Sequence, residues 1–174
     1  MAVPFSLSPF ETISDVVIAG DVARSQSTLA LKYTVTGTLD NLVVPPLAST
    51  APSRRDKLWQ TTCFEAFIGM PNASHYWEIN VAPKGDWNLY RFESYRQGMA
   101  REMGCHSIKS IWQSIPQGYQ LVLNIPTEPW LPSAQPLEMG ISTILQTDRT
   151  SHWALVHPGK DPDFHHRDSF TLFI

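Results

Sequence analysis

In the run STLALKYTVTG at 27–37, Leu29, Leu31, Tyr33 and Val35 fall on every second position, with small or polar residues between them. Alternate side chains of an extended strand point to opposite faces, so this spacing describes a strand with one buried side. Short runs of the same kind, bounded by Pro, Gly, Asn and Asp, recur down the chain. No segment keeps a helical period for more than two turns. Strands are expected over 15–24 (bent or ended near Gly20-Asp21), 27–37, 62–69, 76–83, 87–93, 107–115, 119–125, 137–146, 151–156 and 169–174. Nine or ten short strands joined by Pro/Gly connections predict an all-β chain, an antiparallel β-sandwich with jelly-roll character. With 174 residues and no repeat, linker or low-complexity tract, a single domain spanning 1–174 is expected.

Composition narrows the function classes. Hydrophobic residues make up 43% and charged residues 17%, which excludes disorder, and 14 prolines suit a loop-rich β protein. A formal charge of −3 offers no basic footprint for nucleic acid and no electrostatic membrane anchor. No run of about 18 apolar residues exists to span a bilayer. The opening MAVPFSLSPFETISDVV lacks a basic leader and a small-residue cleavage pattern, so the expectation is a cytoplasmic chain. Cys63 and Cys105 are then expected reduced, whereas an extracellular setting would permit one disulfide. No GxGxxG, P-loop, GxSxG or CxxCH signature occurs, which argues against nucleotide chemistry.

The segments 62–69, 76–83 and 87–93 read as a three-stranded meander with a tight connection at Lys84-Gly85-Asp86. In YWEINV, Trp77, Ile79 and Val81 take one face while Tyr76, Glu78 and Asn80 take the other. In CFEAFI, Glu65 and Phe67 oppose Phe64, Ala66 and Ile68. In WNLYRF, Asn88, Tyr90 and Phe92 oppose Trp87, Leu89 and Arg91. One consistent assignment gathers Glu65, Tyr76, Glu78, Asn80, Asn88 and Tyr90 on a single surface, without a lysine on these strands. Carboxylates, amides and phenols make directional hydrogen bonds beside flat apolar faces, which suits a sugar-like polar ligand. The alternative is a solvated sheet face of chance composition. Glu65 and Glu78 also admit a glycosidase reading, or an ion pair with Arg91 or Arg96.

Two further features stand out. The stretch HPGKDPDFHHRD at 157–168 holds three of the six histidines together with Asp161, Asp163 and Asp168. Such density can ligate a metal, although the spacing matches neither HExxH nor an EF-hand, and an ordinary loop has the same residue types. His157 and His165 are the histidines best placed to serve a ligand at the rim. Trp59, at a strand entrance after Arg54-Arg55-Asp56-Lys57, either stacks on a ligand ring or caps the end of the sandwich.

The strings RRDKLWQTTCFEAFIG, YWEINVAPKGDWNLYRFESYRQGM and WALVHPGKDPDFHHRDSF, with FSLSPF and LALKYTVTGTL before them, together resemble the DOMON-like domains, which are related to the type 9 carbohydrate-binding modules. The resemblance implies a β-sandwich that binds sugar or haem. It puts Glu65 where the sugar-binding modules have an acidic strand motif, and Tyr76 to Asn80 in the strand that follows. It leaves haem or calcium open as cofactors, with Met99 and His157 as candidate haem ligands. The first reading is therefore a non-catalytic module for a carbohydrate-like ligand at Trp59, Glu65, Tyr76, Glu78, Asn80, Asn88, Tyr90, His157 and His165. A haem-binding or redox module is the second, and a glycoside hydrolase or other enzyme the third.

Overall fold

Period-2 alternation persists through most of the chain, and a computed structural model, which describes residues 1–133 and 135–174, resolves it into twelve strands. They are β1 (Ala2–Pro9), β2 (Val16–Arg24), β3 (Thr28–Gly37), β4 (Cys63–Gly69), β5 (Tyr76–Val81) and β6 (Trp87–Phe92). The rest are β7 (Ala100–Arg101), β8 (Lys109–Ile115), β9 (Gly118–Pro126), β10 (Glu138–Gln146), β11 (Thr150–Ala154) and β12 (Leu172–Phe173). Hydrogen-bonded neighbours run β7-β6-β5-β4-β10-β11-β1-β2-β3-β9-β8, all antiparallel, with β12 beside β10. Strand β1 turns the corner: Ala2–Leu7 pair with β2, while Ser8 and Pro9 pair with β11. The ladder thus curls into two layers, a β-sandwich as the alternation predicts.

The core is what the alternation demands. Phe64, Ala66, Ile68, Trp77, Ile79, Val81, Trp87 and Leu89 from the second layer pack against Leu29, Leu31, Tyr33, Val35, Leu121, Leu123 and Ile125 from the first. Trp153, expected inside from its spacing to Leu155, is fully buried there. Tyr33 carries the one polar handle this layer needs, its hydroxyl donating to the Glu65 carbonyl at 2.7 Å across the sandwich. Both cysteines are free and buried. No helix among the described residues is long and apolar enough to cross a membrane.

Three expectations change in detail. Strand β2 runs unbroken through Gly20-Asp21, because a side chain at Gly20 would strike the Lys32 carbonyl and the Phe5 ring, and glycine alone fits. The N-terminal strand β1 was not expected. Of the last segment, 169–174, only Leu172–Phe173 is extended, and Ser169 ends a 3-10 turn that begins at Arg167. The Pro-rich loop at 44–55 is tied to the start of β6, where Ser53 and Arg55 bond the Trp87 backbone and the Arg55 carbonyl meets Asn88. Buried Asp86 holds it there by accepting the backbone N–H of Ala48 and of Ser53, each at 2.9 Å.

Candidate functional site

Register settles the face. Glu65 stands opposite Asn80, which stands opposite Asn88; Phe67 stands opposite Glu78, which stands opposite Tyr90; Tyr76 stands opposite Phe92. Facing partners in a ladder share a side, so all six predicted polar residues lie on the outer side of the second layer. Strand β10 extends the rows with Ser142 beside Glu65 and Gly140 beside Phe67.

This face is not open to water. Glu65 and Glu78 are only 2% and 4% exposed, and Asn80 and Asn88 are fully buried. The cover comes from two places. The turn at Leu58–Gln60 lays Trp59 edge-on against Tyr90, ring centroids 5.9 Å apart. The segment after β11 folds back and packs Phe164, His165 and Phe170 on Phe67, with centroids 5.0 Å apart for His165 and 5.9 Å for Phe170. Phe67, Tyr76, Tyr90, Phe92 and Phe170 form a second apolar cluster, separate from the sandwich core. Arg167 fastens this segment down. Its guanidinium donates to Glu138 and to the Met70 carbonyl at 2.7–3.2 Å and lies over the Phe170 ring.

Between cover and sheet lies a cavity of about 430 Å³. Its floor is Glu65, Phe67, Glu78 and Phe92. Trp59, Arg96 and Met99 form one side, Ile144 and His152 the other, and Pro162, Phe164 and His165 belong to the covering segment. A volume of this size falls within the ordinary range for small-molecule sites. Of the nine residues read from the sequence, Trp59, Glu65, Glu78 and His165 line it.

The other five support it or stand apart. Asn80 donates to Glu78 Oε1 at 2.7 Å and fixes that carboxyl. Tyr76 accepts the Arg96 backbone N–H at 3.1 Å and bonds His165 Nδ1 at 2.8 Å, so its ring, stacked on Phe92 at 4.9 Å, is not free for a ligand. Asn88 donates to the Arg55 carbonyl and to Asp56, and the Tyr90 hydroxyl donates to Asp56 Oδ1 at 2.8 Å. These two residues hold the approach to Trp59. His157 does not meet the cavity; its Nε2 donates to the Ser8 carbonyl at 2.8 Å and its ring lies edge-on to Phe10.

The electrostatics follow from burial. Desolvation, then the nearby Glu78 charge, push Glu65 well above the usual carboxylate range, against the 3.2 Å bond from Ser142. Desolvation raises Glu78 to about 7, although the Asn80 bond and the Arg96 charge pull it down. Burial and the Arg96 charge lower His165 to about 4, so at neutral pH it is an uncharged imidazole. His165 Nε2 lies 3.8 Å from Glu78 Oε2, too far for a hydrogen bond, and with the ring neutral the contact is not an ion pair. The ion pair expected between a glutamate and an arginine goes elsewhere: Arg96 binds Asp163 at 2.8 Å.

Asp56 supplies a sharper test of the support. Bonds from Arg101 and Tyr90 draw it down to about 2, and it is the common partner of Asn88, Tyr90 and Arg101. Asp56→Ala leaves the buried Tyr90 hydroxyl without its acceptor, while Asn88 keeps the Arg55 carbonyl, so stability should drop by about 1–3 kcal/mol. The Tyr90 phenol, raised by burial and then by that bond, should titrate at lower pH. An alkaline spectrophotometric titration reads this, and an unchanged phenol would dissolve the link.

The metal reading of 157–168 does not hold. Among the described residues, no three His, Cys, Asp or Glu side chains converge to hold an ion. Asp163 instead accepts from Arg96 and from the His165 N–H, as loop chemistry. The haem pairing also fails to fit: Met99 lines the cavity, but His157 is engaged with Ser8 and does not. Residues missed as site residues are Phe67, Phe92, Ile144, His152, Pro162 and Phe164, together with Arg96 in a cavity role. Pro162 and Phe164 come from the segment that folds back after β11, and Ile144 and His152 join the cavity only through the pairing of β10 with β4 and β11.

No protein-family model and no curated protein matches this sequence. Among solved structures, a Bacteroides uniformis protein provisionally described as carbohydrate-binding superposes with a TM-score of 0.68 at 14% identity, covering 96% of this chain and 84% of its own. Two family 9 carbohydrate-binding modules from Caldicellulosiruptor kristjanssonii, in complex with cellotriose and with glucose, superpose with TM-scores of 0.46 and 0.47. Each is 12% identical, covering 83% and 88% of this chain and 68% and 72% of theirs. At such identities the likeness to the Bacteroides protein is one of fold alone: the two chains share the β-sandwich architecture.

Proposed function

We propose that the protein is a non-catalytic binding module that takes a carbohydrate-like ligand in the cavity on the outer face of β4–β6. The observation that carries this reading is the mixed wall. A buried carboxyl with an unpartnered oxygen sits at the floor, beside the rings of Phe67, Phe92, Trp59 and Phe164. A saccharide has that dual character, with hydroxyls around its edge and apolar C–H faces that rest on aromatic rings. Glu65 Oε1 lacks a donor inside the chain, which a ligand polar group would supply. Glu65, Glu78 and His165 would bond the ligand, with Trp59 and Phe164 as flat walls. The fold shared with the Bacteroides protein agrees with this, and the DOMON-like assignment rests on the sequence strings above.

Thermal denaturation in the presence of a panel of neutral, amino and acidic mono- and disaccharides tests it. At least one class should raise the midpoint, and Trp59→Ala should weaken that response. If the wild-type protein is indifferent to the whole panel, the reading is wrong.

A further inference from the structure

We propose that the ligand of this cavity carries a protonated amine, as an amino sugar does, and that its ammonium group is received between Glu65 and Glu78. The proposal rests on the binding role given above and names its ligand class.

The argument begins with what two carboxyls are doing on this floor. A neutral sugar hydroxyl is satisfied by amides and hydroxyls, which carry no charge to bury. Two glutamates close together, each almost wholly buried, are costly to ionise unless a cation offsets their charge. Among the described residues no cation is bonded to either carboxyl, and Arg96 acts on Glu78 only through its field. Arg96, the arginine on the wall, is committed to Asp163. His152 bonds Glu11 through Nδ1 at 2.7 Å. His165 gives its Nδ1 to Tyr76 and holds no proton charge at neutral pH. Glu65 Oε1 has no hydrogen-bond partner, and the neighbouring Cys63 thiol is a weak donor with the Phe64 carbonyl and Asn80 Oδ1 also in reach, at 3.9 and 3.8 Å. A cationic ligand completes this arrangement, and an anionic one is repelled by it.

The walls point the same way. Aromatic rings attract cations through their negative faces, more strongly where water is excluded. Trp59, Phe67, Phe92 and Phe164 all border the space in front of the carboxyl pair. Carboxylate below and rings around form the receptor expected for an ammonium group.

A consequence separates this from recognition of an uncharged sugar. The groups facing the pair are His165 and Asp163 from the cover, and Arg96 from the β6–β7 connection. Cys63, Tyr76 and Tyr90 face it from the sheet, with Asp56 behind Tyr90 and His152 with Glu11 beyond β10. None is a free cation, so in the empty cavity the pair retains protons above the usual carboxylate range. An ammonium group favours the ionised form and expels a proton. A hydroxyl leaves the proton where it is.

Calorimetric titration of the full chain at pH 6 with glucosamine, glucose, N-acetylglucosamine and cyclohexylamine, in two buffers of different ionisation enthalpy, decides it. Glucosamine should bind at least about tenfold more tightly than glucose or N-acetylglucosamine, which share its ring without its charge. It should release close to one proton, seen as a buffer-dependent heat. The near-isosteric Glu65→Gln and Glu78→Gln should each abolish the preference for glucosamine. Equal binding of glucose and glucosamine overturns the amine and leaves the sugar-binding role standing. Cyclohexylamine binding as well as glucosamine supports the amine and overturns the sugar. Silence from all four overturns both, and the wild-type comparisons decide these outcomes even if a variant misfolds.

Discussion

Phe67→Ala should destabilise the protein by about 3–5 kcal/mol, the cost of removing a wholly buried phenylalanine. For a chain of this length that corresponds to a midpoint lowered by roughly 10–15 °C. The reason for choosing this residue is its position. Phe67 lies on the outer side of β4, and its ring meets those of Tyr76, Phe164, His165 and Phe170. Phe164, His165 and Phe170 all belong to the covering segment, so the truncation removes the surface that segment sits on. The cavity should widen and the cover loosen, while the sandwich core, built from the opposite side of the same strand, keeps its own contacts. Hydrogen exchange resolved by peptide distinguishes the outcomes. Protection lost over the segment after β11 but retained in β3 and β9 is expected. Uniform loss across both layers would mean that the two apolar clusters are one cooperative unit. Phe67→Leu, which keeps more of the volume, should cost clearly less.

The two clusters explain which parts of this molecule can be read from its sequence. Alternation in β4, β5 and β6 is strict, and a slip of one residue would turn Phe64, Ile79 and Leu89 outward while turning Glu65, Glu78 and Asn88 into the sandwich core. The facing of each strand therefore had one good solution, although the pairing between strands did not, and Glu65, Tyr76, Glu78, Asn80, Asn88 and Tyr90 do share the outer side. The same reasoning reaches Trp153 and the core of β3. It fails at β1, where Val3, Phe5 and Leu7 alternate but Pro4 and Pro9 speak against a strand. In the fold, Ala2–Leu7 form an edge paired only with β2, a setting that tolerates proline.

Period 2 says which side a residue takes and nothing about what lies over that side. An open polar face was the natural expectation for Tyr76 and Tyr90, yet both are buried and occupied in holding neighbours. The cover is fixed by contacts across long separations, such as Arg167 with Glu138 and the Met70 carbonyl, and Arg96 with Asp163. Neither the 3-10 turn at Arg167–Ser169 nor the loop that carries Phe164 has a periodic signature. His157 and His165 show the limit plainly. Eight residues apart in one loop, the first tethers that loop to β1 and the second faces the cavity.

The carboxyl pair carries the other large effect. Glu65 and Glu78 hold their protons more tightly in the folded chain than in the unfolded one. The native state therefore binds more protons, and the stability this gives is complete below the ordinary glutamate pKa near 4.5 and lost as pH rises through about 7 for Glu78, with Glu65 acting in the same direction. His165, lowered from 6.5 to about 4, runs the opposite way, its contribution present above 6.5 and lost as pH falls toward 4. The two trends oppose each other in mildly acid solution, so the glutamates show alone from neutral pH upward. Glu78→Gln removes one ionisation while keeping an oxygen to accept from Asn80. At pH 5 it should match the wild type, and at pH 9 it should exceed it by about 2–3 kcal/mol, the worth of a two-unit shift or slightly more. Denaturant midpoints of both proteins across this range measure the difference. Curves that stay parallel from pH 5 to pH 9 would show that Glu78 ionises in the folded protein as readily as in water, and that the floor of the cavity is wet.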